Sequence, residues 1–371
     1  MVDLNGQFQK IKSEIIDGIE RVCETSSFIN GSDVKSFADN LKQYTGSEYV
    51  IPCANGTDAI QVALMALGLK AGDEVIVPTW TYVATAEVIA LLGLKPIFID
   101  ADKDSYNIDV HQLEAVLTSK TKAIVPVHLY GQCCDMEPIM KFASKHNLSV
   151  VEDNAQAIGA VYTFSDGKQK QAGTIGHIGT TSFYPAKNLG AFGDGGAIFC
   201  QDESLAKTIM GVCNHGELGV KYYHDILGVN SRLDSIQAVV LNAKLKHLRA
   251  YEIARNSVAN FYSKNLSEIS AIEVPSISHN STHVFHQYVM KIKDGRRDAL
   301  KAFLAEKGIP TMIYYPLPLH YQKAYSHYLR GDENLKISEQ LATEVLALPI
   351  HTEMKEEQLQ YITDMIKSFF L

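Results

Sequence analysis

The sequence predicts an α/β protein: a mostly parallel sheet with helices on its faces, followed by a smaller α/β unit. Three observations predict it. Short runs rich in β-branched residues alternate with helical runs through the first half, the pattern of βαβ units. Three of those runs end in a polar residue, Asp100, His128 and Asp153, and in such sheets ligands gather beyond the carboxyl ends of the strands. From about residue 245 the texture changes, so residues 1–245 are taken as the large unit and 246–371 as the small one.

In chain order, TDAIQVALMALGL (57–69) is almost wholly apolar and predicts a buried helix. EVIVP (74–78) reads as a strand, AEVIALLG (86–93) as a helix and KPIFID (95–100) as a strand. DVHQLEAVLT (109–118) is helical with Asp109 as N-cap, and KAIVPVHLYG (122–131) is a strand. MEPIMKFASKHN (136–147) is a helix and LSVVEDNAQ (148–156) a strand. VYTFSDGKQKQAGTIG (161–176) is a polar hairpin turning at Asp166-Gly167. GTTSFYP (179–185) and GGAIFC (195–200) are further strands. A loop over 214–234 leads into one long helix over 235–265. HVFHQYVMKI (283–292) alternates as a half-exposed strand, RRDALKAFLAEKG (296–308) is a helix, and QLATEVLALP and MKEEQLQYITDMIKSFF are two more.

Composition narrows the function classes. A formal net charge of −8 over 371 residues argues against broad binding to nucleic acid or an anionic membrane, while leaving room for a local pocket that holds an anion. No apolar run reaches the length of about 18 residues that a spanning helix needs. The N-terminal MVDLNGQFQKIK lacks a charged-then-apolar leader pattern, so a cytoplasmic location is expected. The six cysteines, Cys23, Cys53, Cys133, Cys134, Cys200 and Cys213, form no Cys-x-x-Cys pair and read as reduced thiols. No His or Cys spacing suits zinc, no Walker A or strand-linked G-x-G-x-x-G occurs, and no G-x-S-x-G elbow is present. No metal is expected.

The stretch SFYPAKNLGAFGDGGAIF (182–199) carries one lysine, Lys187, among apolar residues and ahead of a run of glycines. A lysine there either snorkels to water or is put to use. A strand end before it and close-packing glycines after it favour use, because a desolvated lysine becomes a nucleophilic amine able to form a Schiff base. Asp153 can pair with the ring nitrogen of pyridoxal phosphate and Gln156 with its ring hydroxyl, although Asp153 also suits an N-cap. Strand alternation sends Glu152 to the opposite side. Asn55, Gly56 and Thr57 open a buried helix, where free N–H groups attract an anion or simply take an ordinary cap. Ser182 adds a hydroxyl. Trp80, the only tryptophan, either stacks on a planar ring or packs in the core. Asp100 suits a turn as well as a site, and His128 suits a packed ring bonded to backbone as well as a site residue. Asp194 is assigned to backbone shape, and Tyr184 is left open between facing the core and facing the substrate.

CANGTDAIQVALMALGLKAGDEVIVPTWTYVATAE, PVHLYGQ, VVEDNAQAIGA, SFYPAKNLGAFGDGGAIF and GVNSRLDSIQAVVL follow one another in that order. Together they resemble the DegT/StrS family of sugar aminotransferases, of fold type I among pyridoxal-phosphate enzymes. The similarity covers essentially the whole chain, through YYPLPLH (314–320) and LALPIH (346–351). The resemblance implies an aspartate-aminotransferase-like fold with a seven-stranded sheet. It implies that Lys187 forms the internal aldimine and moves protons, that Asp153 faces the pyridinium and that Gln156 faces the ring hydroxyl. Gly56, Thr57 and Ser182 match phosphate ligands, and Trp80 matches the stacking aromatic. Asn230 matches an asparagine reaching the neighbouring subunit's phosphate, which implies a homodimer with shared sites. Arg232, Tyr314, Tyr315 and His320 fall in segments that line the nucleotide-sugar side.

The implied reaction moves an amino group from L-glutamate to a ketone on a nucleotide-linked sugar. The family branch that replaces the lysine with histidine and dehydrates its substrate is set aside by Lys187. The motifs look most like enzymes that aminate C3 of UDP-2-acetamido-2-deoxy-3-oxo-glucuronate, for surface polysaccharide such as lipopolysaccharide. A dTDP-3-oxo-6-deoxyhexose 3-aminotransferase is the alternative, and a non-catalytic binding or regulatory descendant is the alternative of another class. The chain departs from the family pattern at Tyr314, where relatives often carry histidine, at Asn30 and Ser32, and in a long hairpin over 163–171. All three are candidates for the pocket wall.

Overall fold

The computed structural model describes residues 1–331 and 333–371. Helices α1 (Leu4–Glu24) and α2 (Ser32–Thr45) come first, then β1 (Tyr49–Cys53) and α3 (Gly56–Ala66). Next come β2 (Glu74–Pro78), α4 (Ala84–Leu91), β3 (Lys95–Ile99), the short α5 (Leu113–Val116) and β4 (Thr121–Ile124). They are followed by α6 (Met136–His146), β5 (Ser149–Asp153), the hairpin β6 (Val161–Thr163) and β7 (Gln169–Gln171), β8 (Ile178–Ser182) and β9 (Gly196–Cys200). α7 (Glu203–Cys213) and α8 (Ser235–Leu245) lead to α9 (Leu248–Leu266), β10 (Ile272–Glu273), β11 (Tyr288–Ile292), α10 (Arg297–Glu306), α11 (Lys336–Glu344), β12 (Val345–Leu348) and α12 (Glu356–Phe370).

Seven strands form the main sheet in the order β1-β9-β8-β5-β4-β2-β3. The block from β3 to β8 is parallel, whereas β9 runs antiparallel to both β8 and β1. Val75, Ile76, Val77, Ile124, Val150 and Val151 are fully buried, as strands covered on both faces require. A second sheet, β10-β11-β12, is antiparallel and has its own apolar core, to which α9, α10 and α12 lend Tyr262, Leu300 and Ile366. The expected boundary at 245/246 falls in the turn between α8 and α9. Among the described residues, no helix is long and apolar enough to cross a membrane.

Four expectations are revised, each for a local reason. The long helix over 235–265 is two helices, because α8 packs on α1 and α2 while α9 turns away to cover the second sheet. The strand expected over 122–131 stops at Ile124: Pro126 has no N–H to give the ladder, and the chain enters a 3-10 turn at Leu129–Gly131. QLATEVLALP is not one helix. It divides at Glu344/Val345, where VLAL pairs with β11 in the register Tyr288↔Leu348. In 109–118 Asp109 accepts from the His111 N–H, but it caps a 3-10 turn that continues into the short α5.

Candidate active site

A cavity of about 900 Å³ opens at the carboxyl ends of the parallel strands and is closed by the segment entering the second sheet. β5 delivers Asp153 to it, β8 delivers Ser182, and α3 begins at its wall with Gly56 and Thr57. A side chain at Gly56 would place its Cβ 2.6 Å from the Cβ of Ser182, so only glycine lets the helix start meet that strand end. Asn55 caps α3 by accepting from the Asp58 N–H at 2.8 Å. The remaining first-turn N–H groups have no helical partner and carry the positive end of the helix dipole.

Asp153 is 5% exposed, and its Oδ2 accepts from Thr85 Oγ1 at 2.7 Å. Glu152 points the other way, as alternation requires, and its carboxylate accepts from the N–H groups of Gly173, Ile175 and Gly176. It also accepts from His128 Nε2 at 2.8 Å. Because His128 Nδ1 accepts from the Cys134 N–H, the proton of this ring sits on Nε2. His128 and Glu152 are therefore a structural pair, which settles the open reading of His128. Asp100 is also structural: it accepts from the N–H groups of Ile337 and Ser338 at the start of α11.

Lys187 lies in the β8–β9 connection, part-buried in the cavity wall. Its N–H donates to the Tyr184 carbonyl at 2.8 Å. A Cβ at Gly190 would fall 2.2 Å from the Pro185 carbonyl oxygen, so the turn after the lysine tolerates no side chain there. Three side chains hold this connection in place. Gln237 Oε1 accepts from the Phe192 N–H at 2.8 Å, Lys244 Nζ donates to the Gly190 carbonyl at 2.7 Å, and Asn188 Nδ2 donates to the Val284 carbonyl at 3.0 Å. Burial lowers the Lys187 ammonium from its ordinary value to about 8, against the opposing pull of the Asp153 charge. At that value an appreciable share of the amine is free at neutral pH.

Gln156 lines the same wall, with Oε1 accepting from the Tyr130 N–H at 2.8 Å and Nε2 donating to the Tyr315 hydroxyl at 3.2 Å. Tyr314 and Tyr315 complete that side. The structure thus brings together Gly56, Thr57, Asp153, Gln156, Ser182, Lys187, Tyr314 and Tyr315. The helix start suits an anion, Asp153 a basic ring nitrogen and Lys187 an aldehyde carbon, so these residues fit pyridoxal phosphate.

Four candidates stand apart. Trp80 is 1% exposed and gives its Nε1–H to the Tyr130 hydroxyl, so it is a core residue and not the stacking ring. Tyr82, two residues on, is the ring in the cavity wall, 58% exposed. His320 is buried against Thr79, with Nδ1 and Oγ1 at 2.8 Å, and does not reach the cavity. Arg232 is part-buried outside the wall. Asn230 is exposed and bridges to Asn214, away from the cavity of its own chain. Among the departures from the family pattern only Tyr314 lines the cavity. The β6–β7 hairpin instead lines a shallower recess with Gln43–Gly46, and Asn30 and Ser32 lie outside the wall. Asp194, assigned above to backbone shape, does reach the rim.

Sequence reasoning passed over Tyr82, His286 and Gln287, which line the cavity, and left Tyr184 open between core and substrate side, where the structure puts it in the cavity lining. Tyr82 had a signal, an aromatic in the loop just past β2. His286 and Gln287 had none, since a half-exposed strand accounts for both.

Comparison with known proteins yields a consistent set of relatives. The model of the DegT/DnrJ/EryC1/StrS aminotransferase family matches residues 9–367. A pleiotropic regulatory protein of Geobacillus stearothermophilus is 45% identical, with 100% of this chain and 98% of that protein aligned. A UDP-N-acetyl-3-dehydro-alpha-D-glucosamine 3-aminotransferase of Acidithiobacillus ferrooxidans is 42% identical over 99% of this chain and 96% of its own length. A UDP-2-acetamido-2-deoxy-3-oxo-D-glucuronate aminotransferase of Pseudomonas aeruginosa is also 42% identical, over 97% of each chain. Among solved structures, a DegT DnrJ EryC1 StrS aminotransferase from Brucella abortus superposes with a TM-score of 0.95 at 40% identity, covering 100% of this chain and 98% of that one. NtdA from Bacillus subtilis, solved with bound cofactor PMP, does so with a TM-score of 0.90 at 32% identity, covering 97% and 82%.

Proposed function

The chain belongs to the DegT/DnrJ/EryC1/StrS aminotransferase family, and on that premise we propose that it passes nitrogen from L-glutamate to C3 of UDP-2-acetamido-2-deoxy-3-oxo-glucuronate. At the coarser level it is a pyridoxal-phosphate-dependent aminotransferase of nucleotide-linked sugars. The observation that carries the reading is the meeting of Lys187, Asp153 and the α3 N-terminus in one cavity. Two relatives whose names specify 3-oxo UDP-sugars support the choice of substrate.

Pyridoxal phosphate supplies an electrophilic carbon and a ring that takes up an electron pair when a C–H bond is broken. The rest is done by this chain. Gly56, Thr57 and Ser182 bind the phosphate at the positive end of α3. Asp153, fixed by Thr85, keeps a proton on the ring nitrogen. Lys187 takes up and returns the substrate proton, and its burial keeps the amine near the pH at which such transfer is efficient. Tyr82 covers a ring face, and Tyr314 and Tyr315 face the sugar.

The protein acts as a homodimer in the cytoplasm, with Asn230 reaching its neighbour's phosphate and Arg232 approaching the neighbour's sugar. Leu218, Val220, Tyr222, Tyr223 and Leu227 support this reading: they form an exposed apolar run just before Asn230, Leu227 being 89% exposed. The chain divides into a cofactor unit over 1–245 and a smaller unit over 246–371. The regulatory name of one relative does not carry over to this chain, because Lys187 and Asp153 are both retained in the cavity. Incubation with L-glutamate and a panel of UDP- and dTDP-ketosugars, with mass detection of the amino product, tests the reading. Amination of dTDP sugars alone would refute the proposed substrate, and amination of none would refute the function.

A further inference from the structure

Among the described residues, nine buried side-chain nitrogen or oxygen atoms have no hydrogen-bond partner, and three of them belong to this one cavity wall: Thr81 Oγ1, His286 Nδ1 and Gln287 Oε1. Buried polar atoms are rarely left unpaired, so their gathering at one wall calls for a partner from outside the protein. Two of the three are neighbours in the segment that enters β11.

That segment is held by bonds from distant parts of the chain. The Val284 N–H donates to the Gly131 carbonyl at 2.8 Å and the Gln287 N–H to the Tyr130 carbonyl at 3.2 Å. Arg255, buried in α9, donates to the carbonyls of Phe285 and His286 at 3.0 and 3.2 Å, and Asn188 holds the Val284 carbonyl. Between them Phe285 takes a φ of +45°, a conformation that side chains disfavour and that persists only when the surroundings impose it. The wall is thus built before any ligand arrives.

We infer that His286 and Gln287 form a subsite that hydrogen-bonds the uncharged polar groups, hydroxyl or amide N–H, of the acceptor sugar ring. The inference rests on the nucleotide-sugar reading above and adds which residues select the ring. The buried atom of the Gln287 amide left without a partner is Oε1, which can only accept. Only a ligand that can donate satisfies it, and the carboxylates of an amino-acid donor cannot. Burial, with the charges of Lys187 and Arg255 close by, pushes the His286 imidazole well below its ordinary value, so it is neutral at physiological pH. A neutral ring offers one donor and one acceptor and no charge for a carboxylate. The pair therefore suits the hydroxyl and amide groups of a sugar ring better than the two carboxylates of the amino donor, whose nitrogen is held at the reacting centre.

The test measures the two half-reactions separately on the holoenzyme for wild type, His286→Phe and Gln287→Met. L-glutamate alone reports the first by the change in cofactor absorbance, and UDP- and dTDP-ketosugars report the second. The loss of one or two buried hydrogen bonds should slow the sugar half-reaction about tenfold to a hundredfold, at least tenfold more than it slows the glutamate half-reaction. Thermal unfolding of the cofactor-free His286→Phe protein should occur at or above the wild-type midpoint, because no bond of this side chain within the protein is lost. Equal loss in both half-reactions, loss in neither, or a midpoint lowered by several degrees would overturn the subsite. If wild type accepts nitrogen from glutamate but gives it to no ketosugar, the nucleotide-sugar reading falls and takes the subsite with it.

Discussion

The lowered proton affinity of Lys187 can be measured without the cofactor. With a midpoint of about 8, roughly one amine in ten is unprotonated at pH 7, against about one in three thousand for a lysine at its ordinary value of 10.5. Burial thus raises the nucleophilic fraction about 300-fold. Cofactor-free protein is labelled briefly with a small acylating reagent across pH 6 to 11, and each lysine is quantified by peptide mass spectrometry against unfolded protein. Lys187 should reach half-maximal labelling near pH 8, well below the ordinary lysine value of 10.5. Lys244 is a control within the same chain: it too is lowered to about 8 by burial, but it is 2% exposed and holds the Gly190 carbonyl, so the reagent should not reach it. Asp153→Asn should move the Lys187 midpoint lower still, since the carboxylate charge is what opposes the shift. A Lys187 midpoint near 10, or one that rises in Asp153→Asn, would refute the assignment of an activated amine.

Other outcomes follow from the same geometry. Glu152→Gln sets an amide among four N–H donors and weakens charge-assisted hydrogen bonds, so it should cost about 1.5–3 kcal/mol by chemical denaturation, and an unchanged midpoint would refute the structural role of the His128–Glu152 pair. Trp80→Phe should cost about 1–3 kcal/mol of stability. Tyr82→Ala should barely change stability and should release cofactor severalfold faster on dialysis; the opposite pattern would return Trp80 to the stacking role. Lys244 titrates near 8 in the folded chain and near 10.5 unfolded, so between those values the unfolded state holds more protons and stability should rise with pH. Relative to Lys244→Met, wild type should gain about 3 kcal/mol or less between pH 7 and 10.5, and a loss over that window would contradict a buried ammonium.

What was legible in the sequence was what local pattern decides. A β-branched run ending in Asp153, an apolar helix opening on Asn55-Gly56-Thr57 and a lysine ahead of close-packing glycines each carry their position in a few neighbouring residues. The choice between Trp80 and Tyr82 does not. Both lie in one loop, and the ring that turns inward is decided by the Tyr130 hydroxyl, fifty residues on, which takes the Trp80 N–H. His320 was misplaced for the same reason, since its ring is captured by Thr79 from the far side of the chain. The His286 segment is set by Gly131, Tyr130, Asn188 and Arg255, and no periodicity within 283–292 encodes those partners.

The connection that carries Lys187 also has a consequence for how the chain assembles. Only residues 183–195 separate β8 from β9, fewer than the 79–94 crossover joining β2 to β3, whereas β9 must find β1 across residues 54–195. Loop closure is least costly for the shortest excursion, so the hairpin bearing the lysine can zip before the sheet around it is complete. The wall that faces the sugar is fixed only when the last third of the chain arrives and docks on Gly131 and Asn188. The amine is set in place by its neighbours in sequence, and the selectivity of the pocket waits for strangers.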